Sequence, residues 1–345
     1  MITHSTLNVY AVVLNYNGAS CNERCLRSLL QQDYPNLTVL FVDNGSTDGS
    51  LKACQAKFAD QIEFIENGVN YYFAKGNNLG IAHALKEGAD YVFIVNNDTE
   101  LAPSCVSELV TFMGATPEAG GCQPLLMKMY DGDESSYNSD WGGEIASAGI
   151  KVSLGGRCWD LSMGRRVDDI GFSPFVVPGI TGGAMFLPAD ILRKTKGFDE
   201  SFVMYFEDVD LSFRIQKLGR PLYTIPRARM GHFVAKTTST HAPILRIQRC
   251  EANSYRLIAK HFPRQIAVKA ILISTIFSIC TACYSLFCFD FAKTLAICKG
   301  ATEGLGVCVQ SWKKIASKTR NQSMLSAIET LVWYPPSFKT DNRCE

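Results

Sequence analysis

Four apolar runs near the start of the chain each end in a cluster of Asn, Asp or Glu, and a helical period separates each run from the next. The runs are Val9–Leu14, Thr38–Val42, Ile62–Ile65 and Tyr91–Val95. They are short, rich in β-branched residues and bounded by turn formers, so they read as strands. Helical patterns occupy Asn22–Gln32, Gly49–Phe58 and Asn77–Glu87. Repeated strand–helix–strand order predicts an α/β fold, a Rossmann-like, mostly parallel central sheet flanked by helices. Ligands of such sheets bind at the carboxyl ends of the strands. The polar clusters fall there: Asn15-Tyr16-Asn17-Gly18, Asp43-Asn44-Gly45-Ser46, Glu66-Asn67-Gly68 and Asn96-Asn97-Asp98. Turn chemistry explains any one of them alone; together they read as one polar cleft. No GxGxxG follows the first strand and no GxxxxGK[ST] occurs, so a dinucleotide fingerprint and a P-loop are both disfavoured. Carboxylates and amides suit a nucleotide held by base and ribose, with a cation on its phosphates.

The 345 residues are 47% hydrophobic, enough for a substantial core and incompatible with a disordered chain or a small disulfide scaffold. Net charge is +1, but it is unevenly spread. Residues 1–245 hold 20 Lys and Arg against 27 Asp and Glu, a balance of −7, whereas residues 246–320 hold 12 against 3, a balance of +9. This basic rear surrounds Ala270–Phe289, twenty residues without a charge. That length just meets the requirement for crossing a bilayer. Lys260, Lys269, Lys293 and Lys299 flank it on both sides, so charge gives no orientation. An amphipathic stretch, Phe291–Ile315, follows with Lys313 and Lys314. An in-plane or re-entrant helix touching anionic lipid through residues 264–315 fits as well as a full span, and a buried helical packing domain is the alternative. Nucleic-acid binding is disfavoured, because the cations interleave with apolar sequence. The thirteen cysteines include only a lone CxxC, Cys280 and Cys283, with Cys288 beyond. They read as reduced core residues, with no metal cluster, and the start of the chain lacks a signal-peptide pattern. A cytoplasmic location is the expectation.

The segments VVLNYNG (12–18), CLRSLLQQDYPN (25–36), VDNGSTDGS (42–50), KGNNLGIAHAL (75–85) and NNDTEL (96–101) resemble the GT-A domain of family 2 glycosyltransferases. TGGAMFLPADIL (181–192) and GFDESFVMYFEDVDLSFRIQKLG (197–219) resemble its second half in order and spacing. The resemblance covers residues 8–262 and is nearest the bacterial rhamnosyltransferase-like branch that builds polysaccharides. It implies a catalytic domain over 1–245, with a nucleotide-sugar half (1–130) and an acceptor and catalytic-base half (131–245). Residues 246–345 then form a helical C-terminal region.

By that resemblance, Asp43 meets the nucleobase, with Asn15, Asn17, Lys75, Asn77, Asn78 and Asn97 around the nucleotide sugar. A turn-forming Asp43 and a helix-capping Asn77 are the plainer readings. Asn96-Asn97-Asp98 stands at the DxD-type position, where Asp98, with Asn96 as a further candidate, would hold Mg²⁺ or Mn²⁺ on the leaving diphosphate. Asn96 departs from the Asp of many relatives. His232 matches a family histidine that reaches the metal or diphosphate. Gly182-Gly183 suggests close approach of a sugar or phosphate, or else a bulge. Glu207-Asp208-Val209-Asp210 opens a helix whose Leu211, Ile215 and Leu218 would face the core. Three acids in four residues exceed what helix capping needs. The resemblance makes Asp208 the base that deprotonates the acceptor hydroxyl, with Glu207 shaping the site and Asp210 pairing locally. The stretch 131–176, with Trp141 and Trp159, would supply acceptor-side loops. The family's Arg-Asn pair appears as Ala252-Asn253.

The implied activity is single-displacement, inverting transfer from a nucleoside-diphosphate sugar to a saccharide or lipid-linked saccharide at the cytoplasmic membrane face. The subgroup points to dTDP-rhamnose, with hexose, galactofuranose and aminosugar donors left open. A catalytically silent sugar- or lipid-binding protein would be marked by loss of Asp98 or Asp208, and both are present. A sugar-nucleotide pyrophosphorylase would want a basic, glycine-rich loop where this chain has NYNGASCNER (15–24).

Overall fold

The computed structural model describes residues 7–130, 143–233 and 243–315. Trp141 and the side chains of Lys313 and Lys314 lie outside the described residues. Strands β1 (Val9–Asn15), β2 (Leu37–Asp43), β3 (Glu63–Glu66) and β4 (Tyr91–Asn96) alternate with helices α1 (Asn22–Leu30), α2 (Ser50–Phe58) and α3 (Tyr72–Lys86). Then follow β5 (Thr99–Leu101), α4 (Cys105–Ala115), β6 (Gly121–Met129), β7 (Ile145–Ser147), β8 (Ile150–Val152), β9 (Cys158–Asp160) and β10 (Phe175–Val177). Next come β11 (Ala184–Pro188), α5 (Ala189–Thr195), α6 (Glu207–Gln216) and β12 (Leu222–Phe233). Three helices complete the chain: α7 (Pro243–His261), α8 (Arg264–Phe287) and α9 (Phe291–Ile315).

The main sheet runs β10-β12-β6-β11-β4-β1-β2-β3. From β4 to β3 it is parallel, as the strand–helix alternation requires. Beyond β4 it is mixed, because β11 inserts antiparallel between β4 and β6. Side chains of β1 alternate between the two faces: Val9, Ala11 and Val13 join one buried cluster, Tyr10 and Val12 the other. Gly80 lets α3 lie close over β1, since a Cβ there would sit 2.5 Å from Val12 Cγ1. The strands extend into their polar ends, and the register sets Asn15 level with Asp43 on β2, with Leu14 level with Asn96 on β4.

Two expectations are corrected. Leu211 and Ile215 are fully buried on α6, but the helix ends at Gln216 and Leu218 is 47% exposed. Cysteines around the main sheet such as Cys25, Cys105 and Cys122 are buried as expected, whereas Cys280, Cys283, Cys288 and Cys298 are exposed, because they lie on the outer surface of α8, α9 and the turn between them.

Helix α7 belongs to the body although it follows residue 245. Its Leu257 and Ile258, with Phe262, share a core with Phe202, Phe206, Val209 and Phe213. Glu251 on α7 takes Arg157, from the turn joining β8 and β9, in a two-pronged pair at 2.6 and 2.7 Å.

Candidate active site

At the carboxyl ends of β1, β2 and β4 the amides form a buried network centred on Asn15. Its Nδ2 donates to Asp43 Oδ1 at 2.7 Å, Ser46 Oγ at 2.9 Å and Ser50 Oγ at 3.0 Å. Its Oδ1 accepts from Gly18 N, Asn22 Nδ2 and Asn97 Nδ2. Asn97 also donates to Asn22 Oδ1 at 2.8 Å. Asn15 and Asn97 therefore tie three loops together behind the cleft wall. Gly18 is required at the centre, since a Cβ there would fall 2.1 Å from Asn97 Nδ2. Asp43 is 2% exposed, and its Oδ2 accepts from Gly45 N and Ser46 N at 3.0 Å each, shaping the loop after β2. Asn17 sits in the left-handed region at φ 54° and accepts from Thr47 N.

On α3, Lys75 lays its ammonium 3.9 Å over the Tyr71 ring. Asn77 donates to Phe73 O, and its buried Oδ1 has no hydrogen-bond partner among the described residues. Asn78 faces elsewhere: it donates to Phe198 O, accepts from Phe198 N and reaches Glu200, so it clamps the loop before α6.

The turn after β4 receives its partner from the far end of the domain. Strand β12 pairs antiparallel with β5, bringing His232 opposite Thr99, and Phe233 N donates to Asp98 O at 3.0 Å. His232 Nε2 lies 3.4 Å from Asp98 Oδ1. Burial lowers the imidazole's proton affinity, but the charges of Asp98 and Asp160 outweigh it and leave the pKa above the usual histidine value. Among the described residues no three His, Cys, Asp or Glu converge to hold a metal ion by themselves. A carboxylate oxygen and an imidazole nitrogen fit as a partial set for Mg²⁺ or Mn²⁺, ions that commonly complete their shell with substrate phosphates and water.

Gly182 and Gly183 join this turn to the acidic helix. Asn96 N donates to Gly183 O at 3.0 Å, while Gly182 N donates to Asp208 Oδ2 at 2.8 Å. A Cβ on Gly182 would press on Phe73 and Asp208, at 3.1 and 3.3 Å. Asp208 thus belongs to the same site as Asn96–Asp98. Burial, aided by the nearby Asp160 charge and opposed by amide hydrogen bonds, raises its carboxyl to about 6. Glu207 is 4% exposed, and burial together with Asp208 pushes it well above the ordinary glutamate value. Asp210 is anchored instead. It meets Arg214 and His261 at 2.7 Å and Lys260 at 2.6 Å, and those partners outweigh burial to keep it ionised. Lys217 Nζ sits 3.0 Å from His261 Nδ1, which fits a neutral imidazole donating through Nε2 to Asp210.

Two contributors were not singled out as site residues by the sequence. Asp160, on β9, acts electrostatically on both His232 and Asp208, and burial raises its own pKa. Trp159 precedes it on the strand, so it faces the opposite side, with Lys151 over its ring. Replacing Asp160 with Asn should lower the Asp208 pKa. The acid limb of kcat/KM, followed from about pH 5 to 8, should move down by a fraction of a unit. An unmoved limb would refute that role. The second is Asn253 on α7, 1% exposed, whose Nδ2 donates to the carbonyls of Phe202 (3.0 Å), Met204 (3.0 Å) and Tyr205 (2.8 Å). Those carbonyls belong to the loop leading into Glu207. A local motif search has no signal for a contact across so many residues; the Ala252-Asn253 pair offered the one hint.

The family model described as Glycosyl transferase family 2 matches residues 10–187, half of the chain. The chain belongs to that family. It is a glycosyltransferase of GT-A fold with a mixed sheet. An N-acetylglucosaminyl-diphospho-decaprenol L-rhamnosyltransferase of Mycobacterium tuberculosis is 28% identical over 239 residues, covering 66% of this chain and 76% of the relative. A dTDP-rhamnosyl transferase of Shigella flexneri is 24% identical over 280 residues, covering 78% and 86%. Among solved structures, GalNAc-T7 with UDP, GalNAc and Mn²⁺ superposes with a TM-score of 0.55 at 14% identity, over 74% of this chain and 50% of its own length. A mannosyltransferase from Pyrobaculum calidifontis, solved with GDP-mannose and Mn²⁺, gives 0.52 at 18% identity, over 87% and 88%. These two share the fold.

Proposed function

We propose that this glycosyltransferase transfers a deoxyhexose, rhamnose foremost, from a nucleoside-diphosphate sugar to a lipid-linked saccharide at the cytoplasmic membrane face, with inversion at the anomeric carbon. The observation that carries it is the Gly182–Gly183 bridge, which ties a half-buried carboxylate, Asp208, to the Asn96–Asp98 turn. The two named rhamnosyltransferase relatives support the sugar, and the decaprenol-linked substrate in one relative's name supports the acceptor.

In this reading Asp208 accepts the acceptor hydroxyl proton as the oxygen attacks the anomeric carbon. Glu207, whose proton affinity is raised by burial and by the adjacent Asp208 charge, shapes the site beside that base. Asp98 and His232 would hold a divalent cation, which when bound would neutralise charge on the departing diphosphate. Asn17 and Lys75 line the nucleotide side, while Asn15, Asp43 and Asn97 hold that wall in shape, with one carboxylate lone pair of Asp43 left for a base. Asn77, with its spare carbonyl oxygen, faces the same side; Asn78 supports it through the Phe198 loop.

Thermal denaturation of the full chain with nucleotide sugars tests this reading. Donor at about 100 times its Kd should stabilise the fold by about 2.7 kcal/mol. The shift should be largest with dTDP-rhamnose plus Mn²⁺ or Mg²⁺ and should shrink with EDTA. Indifference to every thymidine and uridine diphosphate sugar would overturn it.

A further inference from the structure

The outer surface of α8 has its polarity reversed. Its buried positions are Ala267, Ala270, Ser274, Ser278 and Ser285, while Leu272 (59%), Ile276 (61%), Ile279 (57%), Leu286 (50%) and Phe287 (82%) are exposed. In water an amphipathic helix puts its large apolar residues inward. Small and hydroxyl residues inside, with aliphatic and aromatic residues outside, is the arrangement of a helix surrounded by lipid. The inner hydroxyls are used: Ser278 Oγ donates to Glu251 Oε1, and Tyr255 OH meets Thr275 Oγ1 and Ser278 Oγ at 3.2 Å. At the turn into α9 the apolar surface becomes a tip, with Phe289 79% and Phe291 64% exposed beside Tyr284 at 60%.

Both ends of this hairpin return to the catalytic body. Ala267 and Ala270 share a core with Phe206 and Val209. On α9, Gly300 and Gly304 press against α7, where a Cβ would lie 2.5 Å from Gln248 O and 2.7 Å from Tyr255 Cβ. This Gly-xxx-Gly spacing allows close helix contact. Helix α8 is the one described helix long and apolar enough to cross a membrane, yet its hairpin leaves and re-enters the body on the same side. Between Arg264 and Lys299 the charges are Arg264, Lys269, Lys293 and Lys299 against a single acid, Asp290, which caps α9 through Lys293 N. That cationic rim complements anionic headgroups.

We propose that the α8–α9 hairpin lies in the interface of one leaflet of an anionic bilayer without crossing it, with Phe287, Phe289 and Phe291 and the outer face of α8 turned towards the acyl chains, and Asp290, Lys269, Lys293 and Lys299 kept at the headgroups. This deepens the membrane-side reading above and rests on it. An aliphatic surface of this kind would also cover itself by pairing with a second copy, so the experiment separates the two.

Full-length protein is floated with phosphatidylcholine vesicles, with and without phosphatidylglycerol. It should bind both, more strongly the anionic ones, and ~1 M NaCl should remove only the anionic increment. The triple variant Phe287→Ser, Phe289→Ser, Phe291→Ser should lose binding to both by at least tenfold. Lys293→Gln with Lys299→Gln should lose only the anionic preference. All variants should keep the wild-type thermal shift with donor, which reports separately on the glycosyltransferase reading. The proposal fails if wild type stays off the vesicles, if salt releases it completely, or if the triple variant binds unchanged. It fails equally if light scattering shows a dimer that the triple variant dissolves while neither form binds lipid.

Discussion

Asp208→Asn is expected to cut transfer by about 10³-fold while donor binding survives. The amide keeps the shape of the carboxylate and can still meet Gly182 N through its oxygen, while its NH2 replaces the oxygen that accepts from Val209 N. Unchanged donor binding is therefore the control that separates lost proton acceptance from a disturbed fold. Wild-type kcat/KM should fall on the acid side with an apparent pKa near 6, the value to which burial raises Asp208. The same shift has a consequence for stability, with the sign set by linkage. The folded value lies above the 3.8 of an ordinary aspartate. The folded state therefore binds the proton more tightly than the unfolded chain, and this contribution is full below about pH 4. It is lost as pH rises through about 6, where the carboxylate must ionise in a desolvated place. The substituted amide carries no such charge. The variant should melt higher than wild type at pH 8, by a few degrees, and the gap should close towards pH 4. Near-normal transfer by the variant would end the base assignment. Loss of transfer with no gain in melting temperature at pH 8 would leave catalysis but contradict the burial account.

What the sequence revealed about the site depended on how local each cause was. The parallel half of the sheet was legible because each strand carries its own apolar alternation, and its polar end residues follow from strand geometry. The role of Asn15 was less legible. An Asn at a strand end looks alike whether it faces solvent or hydrogen-bonds inward, and its burial depends on Asn22, Ser50 and Asn97 arriving from three other segments. His232 could be guessed by resemblance, but its place beside Asp98 rests on β12 pairing with β5, a contact no periodicity encodes. Asp160 lay in a stretch without clear pattern, on a two-stranded ribbon outside the main sheet. Helix α8 was visible as an uncharged run, but the return of its hairpin to the body depends on Gly300 and Gly304 meeting α7, which composition alone does not report.

Asn253→Ala should lower kcat by about 10²-fold with little change in donor Kd, because Asn253 holds the loop that aims Asp208. Three residues of that loop, Val203, Tyr205 and Phe206, have φ of 66°, 66° and 71°. Left-handed backbone costs a side-chain-bearing residue roughly 1–2 kcal/mol, and a β-branched valine is among the least tolerant. Such a conformation persists only where the surroundings enforce it. Here the enforcing group is one amide nitrogen donating to the carbonyls of Phe202, Met204 and Tyr205, with Ala74 N bound to Val203 O from the other side. Removing it leaves buried carbonyls unpaired and lets the loop relax towards ordinary φ values, which would swing Asp208 away from Gly182. Asn253→Asp separates this account from simple packing. The aspartate fills the same volume but brings oxygen against three carbonyl oxygens, so it should be at least as damaging as alanine to kcat. If the side chain served only to fill space, aspartate would instead preserve activity better than alanine. Donor-induced thermal shifts on both variants show whether the nucleotide half is still folded. A loss confined to kcat then assigns Asn253 to positioning the base, whereas equal losses in donor Kd and kcat would mark it as a residue that merely stabilises the domain.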